Sequence, residues 1–320
     1  MTYRWGIVGT GRIAVAMVEG IRDAGGAVDV IASSSQERAS AFAFEHDIPT
    51  SVSPHSAASH TAVDALYIAT TNNLHHPLAV EALHAGKAVL CEKPVALNVA
   101  QTTEMIEAAK ANDTFLMEAM WMVFQPYWRV VDQWLDQIGE VRWVQSDFGF
   151  PAEFLPDDRL LDPALGGGSL VDVGIYPLTM IHRMLGAPDK VSAVASVSDR
   201  GVDHQMAAVL QYASGAVGVA GCSIVADTPL EAVIAGPNGR IRVHSPFHVS
   251  QRVSLRREGD ELLSANAAYQ GSGYRFEVEE VHRCLDEGLI ESPKRPWADT
   301  LAVMETMDEI RRQIGVEFPG

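Results

Sequence analysis

The strongest constraint on this chain lies at its start. Tyr3 to Val8 reads as a short buried strand, Gly9-Thr10-Gly11-Arg12-Ile13-Ala14 follows at once, and Ile13, Met17, Val18 and Ile21 then recur at helical spacing. That order predicts strand, tight turn, helix. Gly9 permits the turn and Gly11 lets the backbone come close to a ligand, while Ala14, standing in place of a third glycine, still allows tight helix-strand packing. Unpaired amides and the helix dipole at such an N-terminus attract an anion. Gly9, Gly11, Arg12 and Ile13 therefore form a candidate pyrophosphate cradle for a dinucleotide. The competing reading, a glycine-rich turn without a ligand, is disfavoured because strand, turn and helix all agree.

The second strand is expected at Val28 to Ala32, followed by Ser33-Ser34-Ser35-Gln36-Glu37-Arg38. A carboxylate at the tip of that strand would hold the ribose hydroxyls of NAD, and none stands there. Ser33 and Ser34 leave room for a 2′-phosphate, and Arg38 can offer it a planar, permanently charged fork. This favours NADP(H), with NAD(H) possible. A second reading stands beside it, in which the serines cap the next helix and Glu37 and Arg38 are solvated on its first turn. Both can hold together.

Strand and helix continue to alternate: a helix over 37–46, a weak strand, a strand over 65–69, a helix over 77–85, a strand over 88–91, a helix over 99–111 and a strand over 115–118. Such an order implies a parallel sheet covered on both faces. The character changes near Trp121. Strand-like segments at 191–197, 205–212, 216–222, 231–235 and 249–256, with turns at Ser214-Gly215 and Asn238-Gly239, read as neighbouring antiparallel strands, and helices over 274–285 and 297–314 close the chain. The expected fold is α/β. A doubly wound Rossmann sheet occupies residues 1–121, and a substrate-binding and oligomerisation α+β domain with an open, mainly antiparallel sheet occupies 122–320.

Ligands of open parallel sheets bind beyond the carboxyl ends of the strands. Two segments fall there: Thr70-Thr71-Asn72-Asn73-Leu74-His75, and Glu92-Lys93-Pro94. Thr70, Asn72, His75, Glu92 and Lys93 join the cofactor-binding candidates. Pro94 biases Lys93 toward an extended conformation that can aim its side chain into the site. The plainer alternatives are a solvated loop lysine, and turn or cap roles for Asn72 and His75.

The third informative segment is Gly166-Gly167-Gly168, leading to Asp172, Gly174 and Tyr176. Moving hydride between a carbinol carbon and nicotinamide requires a group that exchanges the hydroxyl proton, and a nearby cation favours the developing alkoxide. Tyr176 and Lys93 suit those tasks, since a neighbouring ammonium lowers a phenol pKa from about 10 toward working pH. Asp172 stands four residues before Tyr176 and shares its side of a continuous helix, where it can orient Lys93 or a substrate hydroxyl. Its alternative role is to interact with backbone amides at the helix start. Pro177 can kink this helix or begin a new one.

Composition narrows the partners. A net charge of −17 argues against nucleic acid and against an anionic membrane surface. The first strand begins almost at Met1, leaving no room for a signal peptide, and no apolar run reads as long enough to span a bilayer. Cys91, Cys222 and Cys284 are few, odd in number and far apart, as in a reduced cytoplasmic protein. No zinc-ligand spacing occurs, the pair His75-His76 and His182 included, and no metal is expected.

At these residues the chain resembles the glucose-fructose oxidoreductase, inositol dehydrogenase and rhizopine-catabolism family, written Gfo/Idh/MocA. The resemblance spans essentially the whole length and rests on Gly9 to Ala14, Asn72 with His75, Glu92-Lys93-Pro94, and Gly166 to Tyr176. Tyr176, where many members carry histidine, and Met117-Glu118-Ala119-Met120-Trp121 are most similar to dimeric dihydrodiol dehydrogenases, NADP-dependent D-xylose dehydrogenases and glucose-fructose oxidoreductase. The resemblance implies NADP-linked hydride transfer at a hydroxyl or carbonyl carbon of a sugar, cyclic polyol or dihydrodiol. It also implies a small polyhydroxylated or dicarbonyl substrate and a homodimer or homotetramer. Lys93, Trp121, Arg159, Asp172 and Tyr176 are the candidate substrate contacts, with Tyr274 beside them. Trp121 can wall the nicotinamide or serve as a core residue. Val123 and Thr179 depart from close relatives, which often carry arginine at the first position and an acidic or amide side chain at the second. Two other functions stand as alternatives: a non-catalytic, cofactor-sensing regulatory protein, and an NAD-linked lyase or hydrolase that oxidises transiently.

Overall fold

The computed structural model describes residues 2–155 and 157–318. It divides into two compact units, Met1–Phe124 with Gln270–Leu301, and Gln125–Tyr269 with Ala302–Gly320.

The first unit alternates β1 (Arg4–Val8), α1 (Arg12–Asp23), β2 (Ala27–Ala32), α2 (Gln36–Glu45), β3 (Thr50–Val52), α3 (Pro54–Ala58), β4 (Ala65–Ile68), α4 (His75–His84), β5 (Ala88–Glu92), α5 (Val99–Ala111) and β6 (Leu116–Ala119). Its six strands lie in the order β3-β2-β1-β4-β5-β6, and every pairing is parallel. The order reverses between β1 and β4, the switch point at which doubly wound sheets bind ligands. β4 and β5 are buried at every residue, as a sheet covered on both faces requires. Successive residues feed two separate cores: Ile7 and Tyr67 pack with Met17 and Ile21 of α1, whereas Val8 and Ile68 pack with Val89 and Leu83 on the opposite face. Register places Val8 beside both Ala32 and Ile68, so the strand ends that carry the motifs lie level.

The second unit begins with α6 (Tyr127–Ile138), β7 (Trp143–Gly149) and α7 (Ile175–Leu185), and continues with β8 (Lys190–Val197), β9 (Asp203–Gln211), β10 (Val217–Ser223), β11 (Ala232–Gly236), β12 (Gly239–Val243), β13 (Arg252–Arg257) and β14 (Leu263–Asn266). The eight strands run β14-β13-β12-β11-β7-β10-β9-β8. β7 lies inside the sheet, antiparallel to β11 but parallel to β10. The sheet is therefore mixed but mainly antiparallel, as the sequence reading expects. α6, β7, β12 and β14 are elements that the sequence reading does not contain.

Pro163–Leu185, a short 3₁₀ turn, the glycine run, the π-turn and α7 in succession, is by length and composition alone apolar enough to span a bilayer, where the sequence reading expects no such run. Its most apolar window is 83% buried inside the protein.

The chain then supplies α8 (Arg275–Asp286) and α9 (Trp297–Ile314). Val278, Val281 and Cys284 of α8 join the core that holds Trp5, Ile7 and Met17. A Cβ on Gly20 of α1 would meet the Tyr274 Cβ at 2.9 Å, so α1 and the start of α8 touch through a glycine. Residues 270–301 thus belong with the parallel sheet, and the first unit ends at Phe124. A single boundary after residue 121 does not describe this division.

Candidate active site

The glycine turn has the local geometry of an anion cradle. Gly9 has φ +121°, and a Cβ there would lie 2.2 Å from the Ala69 carbonyl oxygen, so glycine is required twice over. Gly11 differs. It caps α1 without a side-chain hydrogen bond, the first turn of α1 contains no acid, and a Cβ built on Gly11 meets no protein atom within 4 Å. That free space in front of unpaired amides suits a pyrophosphate.

At the end of β2, Ser33 is buried and accepts a hydrogen bond from the Ser35 amide. Ser35 caps α2 by accepting from the Arg38 amide at 3.2 Å, and the Arg38 guanidinium donates to Ser34 Oγ at 3.3 Å. Among the described residues Arg38 pairs with no carboxylate. One serine caps, and an exposed cation stands beside another.

The loop carrying Lys93 is held at three consecutive residues. The Lys93 amide donates to Glu92 Oε2 at 3.2 Å. The Pro94 carbonyl faces His75 Nδ1 at 2.8 Å and the Thr70 carbonyl faces His75 Nε2 at 3.3 Å, both acceptors for a ring N–H. The Val95 amide donates to Glu118 Oε1 at 3.2 Å. The Lys93–Pro94 peptide is cis. His75 and Glu92, read from the sequence as cofactor ligands, thus direct these polar atoms at the loop itself. Asn72 is buried in the short turn before α4.

Two buried carboxyl groups support this loop in different ways. Glu118 accepts from Arg295 Nε and Nη2 at 3.0 and 2.5 Å and from the Thr300 hydroxyl at 3.3 Å, forming a desolvated ion pair with side-chain exposures of 4% and 1%. Glu92 accepts from the Tyr67 hydroxyl; burial pushes its pKa up and the Lys93 charge pulls it back. Glu277 of α8 lies near enough to feel Glu92, and neither of its oxygens has a hydrogen-bond partner among the described residues. Burial first, and then the Glu92 charge, raise its pKa well above the ordinary carboxyl value, which favours the neutral form. Trp121 stacks on Tyr274 with centroids 4.0 Å apart and planes 15° from parallel, so the two aromatic candidates form one plate.

In the second unit, Gly167 and Gly168 thread past the backbone of residues 159–162. Their amides donate to the Asp162 and Leu160 carbonyls at 2.9 Å each, and a Cβ on Gly167 would lie 2.6 Å from the Arg159 oxygen. A π-helical turn, Leu170–Gly174, then leads into α7. Of the two possibilities left open by Pro177, the structure shows an interrupted helix: Asp172 lies in the π-turn and Tyr176 in the first turn of α7. Pro177 falls just after this wide turn, where a straight α-helix would have needed its missing donor.

Arg159 donates to Asp172 Oδ1 at 2.9 Å, so two candidate substrate contacts bind each other. The Tyr176 ring lies 5.3 Å from both Phe148 and His248, and those two rings stack at 4.5 Å. Phe148 and His248 carry no motif: one lies on the unexpected β7 and the other on a single turn at Phe247–Val249. His182 bonds Thr306 and is a packed residue. Val123 and Thr179 are buried in their units.

Among the described residues no cluster of histidine, cysteine and carboxylate side chains suits a metal. Cys91, Cys222 and Cys284 are free, buried thiols whose pKa values burial raises.

Comparison with known proteins names this arrangement. Residues 3–120 match the family model described as "Oxidoreductase family, NAD-binding Rossmann fold", and residues 128–242 match the GFO/IDH/MocA C-terminal domain. This chain is a Gfo/Idh/MocA oxidoreductase. Trans-1,2-dihydrobenzene-1,2-diol dehydrogenase of Mus musculus is 34% identical to it, covering 100% of this chain and 99% of the mouse protein. Among solved structures, an aldose-aldose oxidoreductase from Caulobacter crescentus, complexed with glycerol, is 25% identical, covers 98% of this chain and 97% of its own, and superposes with a TM-score of 0.86. KijD10, a 3-ketoreductase from Actinomadura kijaniata in complex with NADP and TDP-benzene, shares the fold with a TM-score of 0.87 at 24% identity, with 98% of each chain covered. As a Gfo/Idh/MocA member the chain is an NAD(P)-dependent oxidoreductase.

Proposed function

We propose that this oxidoreductase uses NADP(H) to transfer hydride at a carbinol or carbonyl carbon of a small cyclic diol, sugar or dicarbonyl compound. Lys93, Tyr176 and Asp172 are the catalytic groups. The observation that carries the reading is the buried three-point anchoring of the Lys93 loop at the carboxyl end of β5, in the same sheet as the open Gly11 cradle. A lysine that was merely solvated would not need its backbone fixed on both sides.

A nicotinamide held here would supply the hydride-transfer chemistry. The chain's own residues do the rest. The amides around Gly11 bind pyrophosphate, Arg38 and Ser34 receive the 2′-phosphate, and the Trp121 plate shields the ring from water. Tyr176 takes the proton from the substrate hydroxyl during oxidation and returns it during reduction. The Lys93 ammonium stabilises the oxygen while it carries negative charge. Asp172, braced by Arg159, orients a substrate hydroxyl. Val194, 72% exposed, shares by register one face of the second sheet with Val209, Val219 and Trp143, and this outer face supports a homodimer.

The test is a panel of dihydrodiols, sugars and dicarbonyl compounds, assayed in both directions with each cofactor. Saturable turnover of a panel member with NADP(H) supports the reading. Tight NADPH binding with no turnover anywhere favours a regulatory protein.

A further inference from the structure

The π-turn that presents Asp172 is not capped from within. Ser169, the residue before it, has helical backbone angles and gives the turn no side-chain cap. The cap comes from Asp203, the first residue of β9, which is 1% exposed. Its Oδ2 accepts from the Leu170 amide at 2.8 Å and from Ser169 Oγ at 2.5 Å. Burial raises the Asp203 pKa and the bonds from Ser169 and the Leu170 amide pull it back, because a carboxylate suits the positive end of a helical segment.

Gly168 shows how closely this contact is built. It has φ +112°, and a Cβ would lie 2.3 Å from Asp203 Oδ1, so the glycine makes room for the carboxylate. The far end of the turn is gauged as well: a Cβ on Gly174 would lie 2.9 Å from Cys222 Sγ, and that sulfur sits 3.3 Å from Ser169 Oγ. A π-turn is a rare pattern, common at functional sites; this one is capped at its start by a side chain of β9, and Cys222 of β10 leaves no room for a side chain at its end. What it sets is the direction of Asp172 and, one turn later, Tyr176.

We propose that Asp203 is a positioning residue for hydride transfer, acting through Ser169 and the Leu170 amide to aim the Tyr176 hydroxyl. The proposal rests on the reading of Tyr176 as proton donor and acceptor. The part of its effect that passes through Tyr176 disappears when Tyr176 is absent, leaving only what passes through Asp172, whereas a purely structural residue would weaken both backgrounds equally.

The experiment is a double-mutant cycle on the full-length protein, with Asp203→Asn, Tyr176→Phe and the double variant. Single-turnover hydride transfer is measured with NADPH and a carbonyl compound from the panel, alongside NADPH affinity. Asp203→Asn is expected to slow transfer by roughly 10- to 100-fold, the scale of a misplaced catalytic group, with unchanged NADPH binding. In the Tyr176→Phe background the loss should shrink to less than about fivefold, the share that passes through Asp172. If Asp203→Asn does not fold, Ser169→Ala removes one of the two bonds and should show the same non-additivity with a smaller effect. Multiplicative losses, or no loss in a folded variant, overturn the role of Asp203 while Tyr176→Phe remains slow. A normal rate in Tyr176→Phe overturns the Tyr176 reading, and this proposal with it.

Discussion

Removing Arg295 tests the support of the Lys93 loop. The Glu118 and Arg295 side chains are 1% and 4% exposed. In Arg295→Met, Glu118 keeps only the Val95 amide and the Thr300 hydroxyl as partners in the described network. Stranding one member of a buried ion pair costs about 3–5 kcal/mol, a large share of the roughly 5–15 kcal/mol that holds a domain folded. Adding Glu118→Gln removes the stranded charge while the amide oxygen still accepts from Val95, so the double variant should lose only about 1–2 kcal/mol. Denaturant-dependent hydrogen exchange at the amides of β5 and β6 is the assay, because it isolates this unit from the other. Hydride transfer should fall with the single variant and recover in part with the double. The reasoning fails if Arg295→Met costs less than about 1 kcal/mol, or if the double variant is less stable than the single.

Three further outcomes follow from the same geometry. Arg38→Ala should weaken NADP(H) about 10- to 100-fold, the value of a charge-assisted hydrogen bond, and leave NAD(H) nearly unchanged in fluorescence titrations; equal losses would remove Arg38 from the 2′-phosphate site. Gly11→Val should keep the melting temperature within a few degrees and abolish NADPH binding, because its side chain enters space that no protein atom occupies, whereas Gly9→Ala should fail to fold well. Burial opposes ionisation of Glu280, but Arg283, Lys294 and Ser292 outweigh it and bring the pKa to about 2. Its folded pKa lies below the unfolded value, so its stabilisation is full above the ordinary carboxylate range and is lost as pH falls toward 2. Glu280→Gln should accordingly destabilise at neutral pH, and the difference from wild type should close on acidification.

The legible parts of this chain are those with local causes. β1, the glycine turn and α1 follow from adjacent residues, and Val99–Ala111 forms the helix that its pattern predicts. β7 escapes because Gln145, Ser146 and Asp147 interrupt its apolar run, although it pairs with β10 and β11, strands that begin more than 70 residues later. β12 alternates cleanly, with Ile241 and Val243 buried between exposed arginines, but it starts at the glycine of its own turn and offers only five residues. The π-turn is invisible in sequence because Leu170 to Gly174 would serve equally in an α-helix, and the cause of its shape lies on other strands. Long-range pairing also hides the supports of the site. Arg295 and Glu118 are 177 residues apart, and Asp203 is 34 residues from Ser169. Glycines 166–168 are conspicuous, yet their reasons, a left-handed turn at Gly166 and close passage of Gly167 against backbone and of Gly168 against Asp203, need the fold.

Single-turnover hydride transfer in Tyr176→Phe, with NADPH binding measured on the same preparation, tests the central claim most directly. The account predicts cofactor affinity within about twofold of wild type and transfer slowed by roughly 10²-fold or more, the scale of general acid-base catalysis. Near-normal transfer in a folded Tyr176→Phe protein that binds NADPH would contradict it and return the proton to Lys93, Asp172 or water.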